Sequence, residues 1–301
     1  MDINFEYYKI FYYVAKYENI TKAAGVLKSN QPNVTRIIKI LESQLNCRLF
    51  IREPRGLRLT EEGKRLYSHV EIACQHLLSA EAEISCNESE CKGTVEIGVT
   101  ETALHLFLLQ TLHAFKIKYP EIKIKIQNNS TPKILKALIS GKIDFAIITT
   151  PFTVSANLCC EKMMEFREIL VGGTDYFKIA GKELKLEELY AYSLIGLGNE
   201  TVTYEFYKKF FSEHQIDYEL DMEVATSDLM LPLIQNNLGI GFVAEMLAIP
   251  LLQNNSLVRI NLNTNVPKRE IQMVWDKGRG KSRVADIFGK YLQTGTIKEI
   301  E

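Results

Sequence analysis

The sequence predicts an α/β multidomain protein: a winged helix-turn-helix head, a long linker helix and a larger α/β body. Three observations predict it. Asn19 to Leu45, NITKAAGVLKSNQPNVTRIIKILESQL, reads as two short helices joined by a tight turn. Apolar residues at Leu66, Val70, Ala73, Leu77, Ala80 and Ile84 step by four and three, a heptad-like seam. From Gly93 onward, β-branched runs alternate with helical stretches, the pattern of a sheet covered by helices. The boundaries expected are 1–60 for the head, 61–90 for the linker helix and 91–301 for the body.

Taking the head in order, Phe5, Tyr8, Phe11, Tyr12 and Ala15 form a helical stripe that ends at Glu18-Asn19. Thr21 is placed to cap a helix over Lys22–Leu27, and Ala23-Ala24 are small enough to let another helix approach. Lys28-Ser29-Asn30 forms the turn. Asn30 suits the N-cap of the next helix, and Pro32 falls in its first turn, where a missing N–H costs nothing. Val34, Ile38, Leu41 and Leu45 mark its buried face. Off that face lie Gln31, Asn33, Thr35, Arg36 and Lys39, side chains suited to base edges and phosphates in a major groove. Residues 47–60 contain two short extended pieces around Pro54 to Gly56. They read as a β-wing with Arg55 near its tip and Arg52 on its flank, placed to meet a minor groove or phosphate.

Charge agrees with such a head. Residues 1–60 hold ten Lys/Arg against five acids, a net +5, so the remainder carries −6 in a chain of net −1. A basic head on an acidic body fits a nucleic-acid-binding module on a separate domain. At 301 residues, with 46% hydrophobic and 24% charged residues, the chain has ample material for more than one core. No stretch of about 18 apolar residues is present, and Asp2, Glu6 and Lys9 interrupt any secretory pattern. The expectation is a cytoplasmic protein with no membrane partner.

Residues 3–65 resemble the winged helix-turn-helix of LysR-type transcriptional regulators, a bacterial family. The resemblance is carried by Phe11, Ala15, Ile20-Thr21-Lys22-Ala23-Ala24, Leu27, Gln31-Pro32, Val34-Thr35-Arg36-Ile37-Ile38, Leu41-Glu42, Leu45, Arg48-Leu49-Phe50, Arg52, Arg55-Gly56, Leu59-Thr60 and Glu62-Gly63. Thr35 replaces a usual Ser, and Ile37 and Ile40 stand where polar residues are usual. The expected DNA contacts are Ser29, Asn30, Gln31, Pro32, Asn33, Thr35, Arg36, Lys39, Arg52 and Arg55. The seam at 66–84 reads either as a helix packed on its own head or, preferably, as a dimerisation helix. The resemblance implies antiparallel pairing of such helices, a homodimer or homotetramer on double-stranded promoter DNA, and RNA polymerase as a further partner.

After a polar hinge at 87–92, the order of strands and helices resembles the periplasmic-binding-protein-like, two-subdomain effector domain of the same family. Tyr119-Pro120, Gly141 to Ala146 and Asn237 to Phe242 carry that likeness, with Ala244 where a Pro is common. It implies a crossing to the second subdomain near Glu161–Glu165 and a return near Val266-Pro267. Subdomain I would be 91–162 and 267–301, and subdomain II 163–266. Ligands of open α/β sheets bind beyond the carboxyl ends of strands. The candidates there are Thr100, Glu101, Thr102, Asn129, Ser130, Thr131, Thr149, Thr150, Gly198, Asn199, Thr201, Thr203 and Thr226. Their hydroxyls and helix N-termini suit a small anion such as a carboxylate. Each hydroxyl could equally be a plain helix cap.

No catalytic constellation is present: the sequence lacks G-x-S-x-G, H-E-x-x-H and a dinucleotide glycine pattern. Gly280-Lys281-Ser282 is no phosphate loop, because Trp275 stands where the first glycine belongs. Neither an enzyme, a cofactor nor a metal is expected. Six cysteines, at 47, 74, 86, 91, 159 and 160, form no C-x-x-C. The reading is therefore a transcriptional regulator whose promoter binding is controlled by a small effector in the body's cleft. The alternatives are a small-molecule binding or transport protein, and a regulator that senses redox state through Cys86/Cys91 or Cys159/Cys160.

Overall fold

The computed structural model describes residues 3–53, 56–84 and 92–295, and the chain forms two compact units, 1–86 and 87–301. In the first unit, α1 (Phe5–Tyr17) starts at Asn4, whose side chain accepts from the Glu6 N–H, and stops at Glu18, which has a left-handed φ of 48°. The second helix, α2 (Ile20–Val26), begins earlier than the sequence suggests. Asn19, not Thr21, caps it by accepting from the Lys22 N–H at 3.0 Å. Asn30 caps α3 (Gln31–Leu45) by accepting from the Asn33 N–H at 2.9 Å. Phe11, Val14, Ala23, Val34 and Leu41 are fully buried between these helices. Ile37 belongs to this core, which explains an apolar residue there; Ile40 is half-buried.

The wing follows as β1 (Phe50–Glu53) and β2 (Gly56–Leu59), paired antiparallel with Arg52 opposite Leu57. Glu42 ties it to α3, accepting from the Leu49 and Phe50 N–H groups at 2.7 and 3.2 Å. Thr60 then caps α4 (Glu61–Ile84): its hydroxyl donates to the Arg48 carbonyl and accepts from the Gly63 N–H. The seam on α4 splits. Val70 and Cys74 are buried in the head's own core, with Leu66 and Tyr67 packed beside them, and Tyr12 stacks on Tyr67. Ala73, the residue expected in the seam, is exposed, and so are Leu77 and Leu78. The first half of the stripe therefore serves the head itself, contrary to the preferred reading. The side chains of Ala80 and Ile84, the hinge up to Cys91, and Cys86 lie outside the described residues.

In the second unit the chain runs β3 (Gly93–Val99), α5 (Glu101–Ala103), a π turn at Leu104–Leu108, α6 (Leu109–Lys118), β4 (Ile122–Asn128), α7 (Thr131–Ile139), β5 (Phe145–Thr149) and β6 (Leu158–Phe166). It crosses at Arg167, past the Glu161–Glu165 expected, because β6 stays in the first sheet to Phe166. Then come β7 (Glu168–Gly172), β8 (Glu183–Leu184), β9 (Leu194–Leu197), α8 (Val202–Glu213), β10 (Met222–Val224), α9 (Met230–Gln235), β11 (Ile240–Ala244), α10 (Glu245–Gln253) and β12 (Val258–Leu262). The chain returns as β13 (Arg269–Asp276) and ends in α11 (Arg283–Gly295).

Neither sheet is purely parallel. The first has the order β4-β3-β5-β13-β6, and the second β10-β9-β11-β7-β12-β8. The returning β13 is antiparallel to both β5 and β6, and β7 is antiparallel to β11 and β12. In each subdomain the entering strand, β13 or β7, runs against those wound within it, while the leaving strand, β6 or β12, runs with them.

A Cβ on Gly63 would stand 2.2 Å from the Leu49 carbonyl oxygen and 3.0 Å from Leu59. Gly63→Ala should therefore destabilise the head by about 1–3 kcal/mol through overpacking. Urea unfolding of the full chain, followed at the head's transition, checks this; an unchanged midpoint would show that the backbone yields freely there.

Candidate functional site

Two surfaces collect the residues singled out in the sequence. On the head, Gln31, Pro32, Thr35, Arg36 and Lys39 line one shallow concavity along the first turns of α3. Gln31, Pro32, Arg36 and Lys39 are exposed, while Ser29, Asn33 and Thr35 are half-buried. Asn33 donates to the Ser29 hydroxyl at 3.2 Å and accepts from an Arg36 guanidinium nitrogen at 3.2 Å. Thr35 turns its hydroxyl back to the Gln31 carbonyl at 2.9 Å. Asn30 spends its side-chain oxygen on the helix cap. Arg55 and the side chain of Arg52 lie outside the described residues.

On the body, a cleft of about 720 Å³ opens between the two subdomains. It gathers Thr100, Glu101, Thr102, Asn129, Ser130, Thr131, Thr149, Gly198, Asn199, Thr201, Thr203 and Thr226. Thr150 is not among its walls. Its hydroxyl accepts from the Glu270 N–H and its carbonyl accepts from Arg269, so it is spent on the fold. The cleft also includes Asn128, Lys133, Glu200, Glu223 and Ser227, which the sequence did not single out.

Capping and ligand roles can be told apart here. Thr201 is a genuine cap: it accepts from the Tyr204 N–H and donates to the Gly198 carbonyl. Thr100, Ser130 and Thr226 occupy cap positions yet make no side-chain cap bond. Among the described residues, Thr100 Oγ1 and Thr131 Oγ1 are the buried side-chain polar atoms with no hydrogen-bond partner. Burying a hydroxyl without a partner costs about 1–3 kcal/mol, so such atoms are rare. That both line the same cleft marks it. Thr102 and Ser227 face each other across the gap with their hydroxyl oxygens 3.5 Å apart. At the rim, Glu101 accepts from the Asn128 amide at 2.8 Å; burial first, and then the neighbouring Asp228, push its carboxyl above the usual range.

Beneath the cleft floor lies Arg269, only 2% exposed and not anticipated. It donates to Thr150 O, Glu168 Oε2, Thr149 Oγ1 and Thr203 Oγ1 at 2.6, 3.0, 3.2 and 3.0 Å. Its guanidinium lies 5.6 Å from the Phe166 ring and 5.0 Å from Phe206. Glu168 accepts a further bond from the Tyr207 hydroxyl, which burial, and then the Glu168 charge, keep well above its usual range. The network pins the first subdomain (Thr149, Thr150) to the second (Glu168, Thr203, Tyr207). The signal in the sequence was an arginine opening an otherwise apolar-alternating strand. Of the thiols, Cys74 is buried, and Cys159 and Cys160 are free neighbours in β6, where successive side chains point to opposite faces. Cys86 and Cys91 lie outside the described residues.

Replacing Arg269 by Met should leave Glu168 charged and buried without its partner, a loss of about 3–5 kcal/mol. The urea midpoint of the body would fall accordingly; no change would show that the pair does not hold the subdomains.

A family profile described as "Bacterial regulatory helix-turn-helix protein, lysR family" matches residues 5–64, and one described as "LysR substrate binding domain" matches residues 89–296. A probable RuBisCO transcriptional regulator of Phaeodactylum tricornutum is 25% identical over 288 residues, covering 93% of each chain. The structure of full-length CbnR complexed with its target DNA is similar with a TM-score of 0.67 at 18% identity, over 97% of this chain and 99% of that one. The regulatory domain of Synechocystis CcmR, in complex with 2-PG, is similar with a TM-score of 0.62 at 18% identity, over 69% of this chain and 99% of that one. No helix among the described residues is long and apolar enough to cross a membrane. With three short helices and a β-wing in the head, a two-subdomain cleft in the body and both profiles matched, this chain belongs to the LysR family of transcriptional regulators.

Proposed function

We propose that this regulator responds to a small carboxylate-bearing metabolite held in the cleft between its subdomains. The observation that carries the reading is the pair of buried, unpartnered hydroxyls of Thr100 and Thr131. Thr149 and Thr203 add to it. Each already accepts from Arg269, so each has its own O–H left to donate. An anion needs such donors. Lys133 supplies the cleft's one basic side chain among the lining residues, and the N-terminus of α7 lies beside it. The CcmR regulatory domain solved in complex with 2-PG has the same fold, which supports a small-molecule ligand for a body of this kind.

An effector shifts the two subdomains only by binding one arrangement better than the other. We infer that the shift reaches DNA through paired chains. Leu77 and Leu78 remain exposed on the far half of α4, where a second copy of the chain would cover them. A homodimer or homotetramer in the cytoplasm, contacting promoter DNA and RNA polymerase and carrying no enzymatic activity, follows from this reading. Ser29, Asn30, Gln31, Pro32, Asn33, Thr35, Arg36, Lys39, Arg52 and Arg55 are assigned to DNA, with base reading centred on Gln31, Pro32, Thr35 and Arg36.

Thr131→Val tests the effector site with two opposite signs. It should stabilise the effector-free body by about 1 kcal/mol, because a buried unpaired hydroxyl is removed, and it should weaken the thermal shift given by an active carboxylate in a metabolite screen. Equal shifts for wild type and variant would return Thr131 to a purely structural role. On the head, Arg36→Ala should weaken specific operator binding by about 1–3 kcal/mol. Lys39→Ala should weaken all sequences alike and reduce the salt slope by about one. Footprints that Arg36→Ala leaves unchanged in affinity would remove Arg36 from recognition.

A further inference from the structure

At the rim of the cleft, three side chains of metal-ligating type converge from two subdomains. Glu101 and His105 project from consecutive turns at the start of the helix that follows β3, in the first subdomain. Asp228 comes from the short 3-10 turn Ser227–Leu229 in the second. His105 Nε2 stands 3.4 Å from Asp228 Oδ1 and 3.9 Å from Glu101 Oε1, and the three donor atoms all lie within 4.8 Å of one another. We propose that Glu101, His105 and Asp228 bind a divalent first-row metal ion, Zn²⁺ in the first instance, that clamps the two subdomains at the mouth of the cleft.

Four features support the site. Zn²⁺ holds nitrogen and oxygen donors at about 2.0–2.2 Å, which places them about 3.4 Å apart in a tetrahedral shell. The His105–Asp228 separation already has that value, and exposed His105 needs only a small rotation to close on Glu101. The other oxygen of Glu101 is fixed by the Asn128 amide at 2.8 Å, the outer hydrogen bond that orients a ligating carboxylate. Next, two carboxylates face each other across a gap, and among the described residues the one basic group within 4 Å of either is His105. A cation between them turns a repulsion into a bridge. Finally, His105 sits in the π turn Leu104–Leu108, a helix irregularity often found at functional sites. An imidazole with two carboxylates and no thiolate suits Zn²⁺, Mn²⁺, Co²⁺ or Ni²⁺, and three protein donors leave a position for water.

The test is a calorimetric titration of the full-length protein with ZnCl₂, paired with the visible absorption of bound Co²⁺. Wild type should bind one ion per chain with a rise in melting temperature. His105→Ala and Asp228→Asn, both at exposed positions, should lose the Co²⁺ bands and that rise while keeping the wild-type circular dichroism. Asn128→Ala, which touches no metal, should weaken affinity about 10–100-fold. The proposal is overturned if wild type gives no heat and no Co²⁺ bands. It is equally overturned if His105→Ala and Asp228→Asn bind as wild type does, which would place the ion on the thiols or other histidines.

Discussion

The buried Arg269–Glu168 pair is the constraint on which the body depends. Both groups are nearly inaccessible, with side-chain exposures of 3% and 7%, and each charge is tolerable there only because the other is 3.0 Å away. Such a pair contributes little net stability, since desolvation offsets most of the attraction. What it contributes is position. Arg269 opens the strand that returns to the first subdomain, and Glu168 opens the strand that enters the second. The pair therefore sits where both connecting strands pass, and it fixes their register against each other. Thr149 and Thr203, one from each subdomain, hang from the same guanidinium and form part of the cleft.

This arrangement separates a fixed end of the cleft from an adjustable one. At the floor, four of the guanidinium's five N–H donors are engaged, and it cannot slip without stranding a charge. At the rim, the subdomains meet through a 3.5 Å hydroxyl contact between Thr102 and Ser227 and through the exposed His105–Asp228 contact. Contacts of that kind exchange with water at little cost. Motion about the Arg269 end, with opening and closing at the Thr102 end, is what a hinged pair of lobes requires. Thr100 and Thr131, whose buried hydroxyls have no partner, lie in the cleft between the two.

The head was nearly all legible because short-range chemistry builds it. Asn30, Pro32 and the four-three apolar spacing specify α3 without reference to anything distant. The cap of α2 was misplaced by two residues because Asn19 and Thr21 are both competent, and only the chain's entry angle chooses. In the body, the cleft residues were legible as a group, since strand ends and helix starts reveal themselves. Their individual roles were not: Thr201 and Thr131 look alike in sequence, yet one caps a helix and the other has no partner. The burial of Arg269 was illegible for a different reason. An arginine beginning a strand is ordinarily solvated, and its acceptors stand between 66 and 120 residues away. The stripe on α4 misled because its first half serves the chain's own core, and Cys74 takes the place that spacing gave to Ala73.

The return of β13 between β5 and β6 also sets an order of assembly. Ile271 pairs with Thr149, and Met273 with both Ile147 and Glu161, so the first sheet lacks its connecting strand until more than a hundred further residues have been made. The second lobe, by contrast, is contiguous from β7 to β12 and has its own core around Tyr207, Phe210 and Phe242. During synthesis that lobe can close while the first still waits with β5 and β6 unjoined. Long-range pairing of this kind is slow and leaves strand edges open to wrong partners. The inserted lobe can thus fold before the lobe whose strands precede it; the earliest strands of the body are the ones completed at the end.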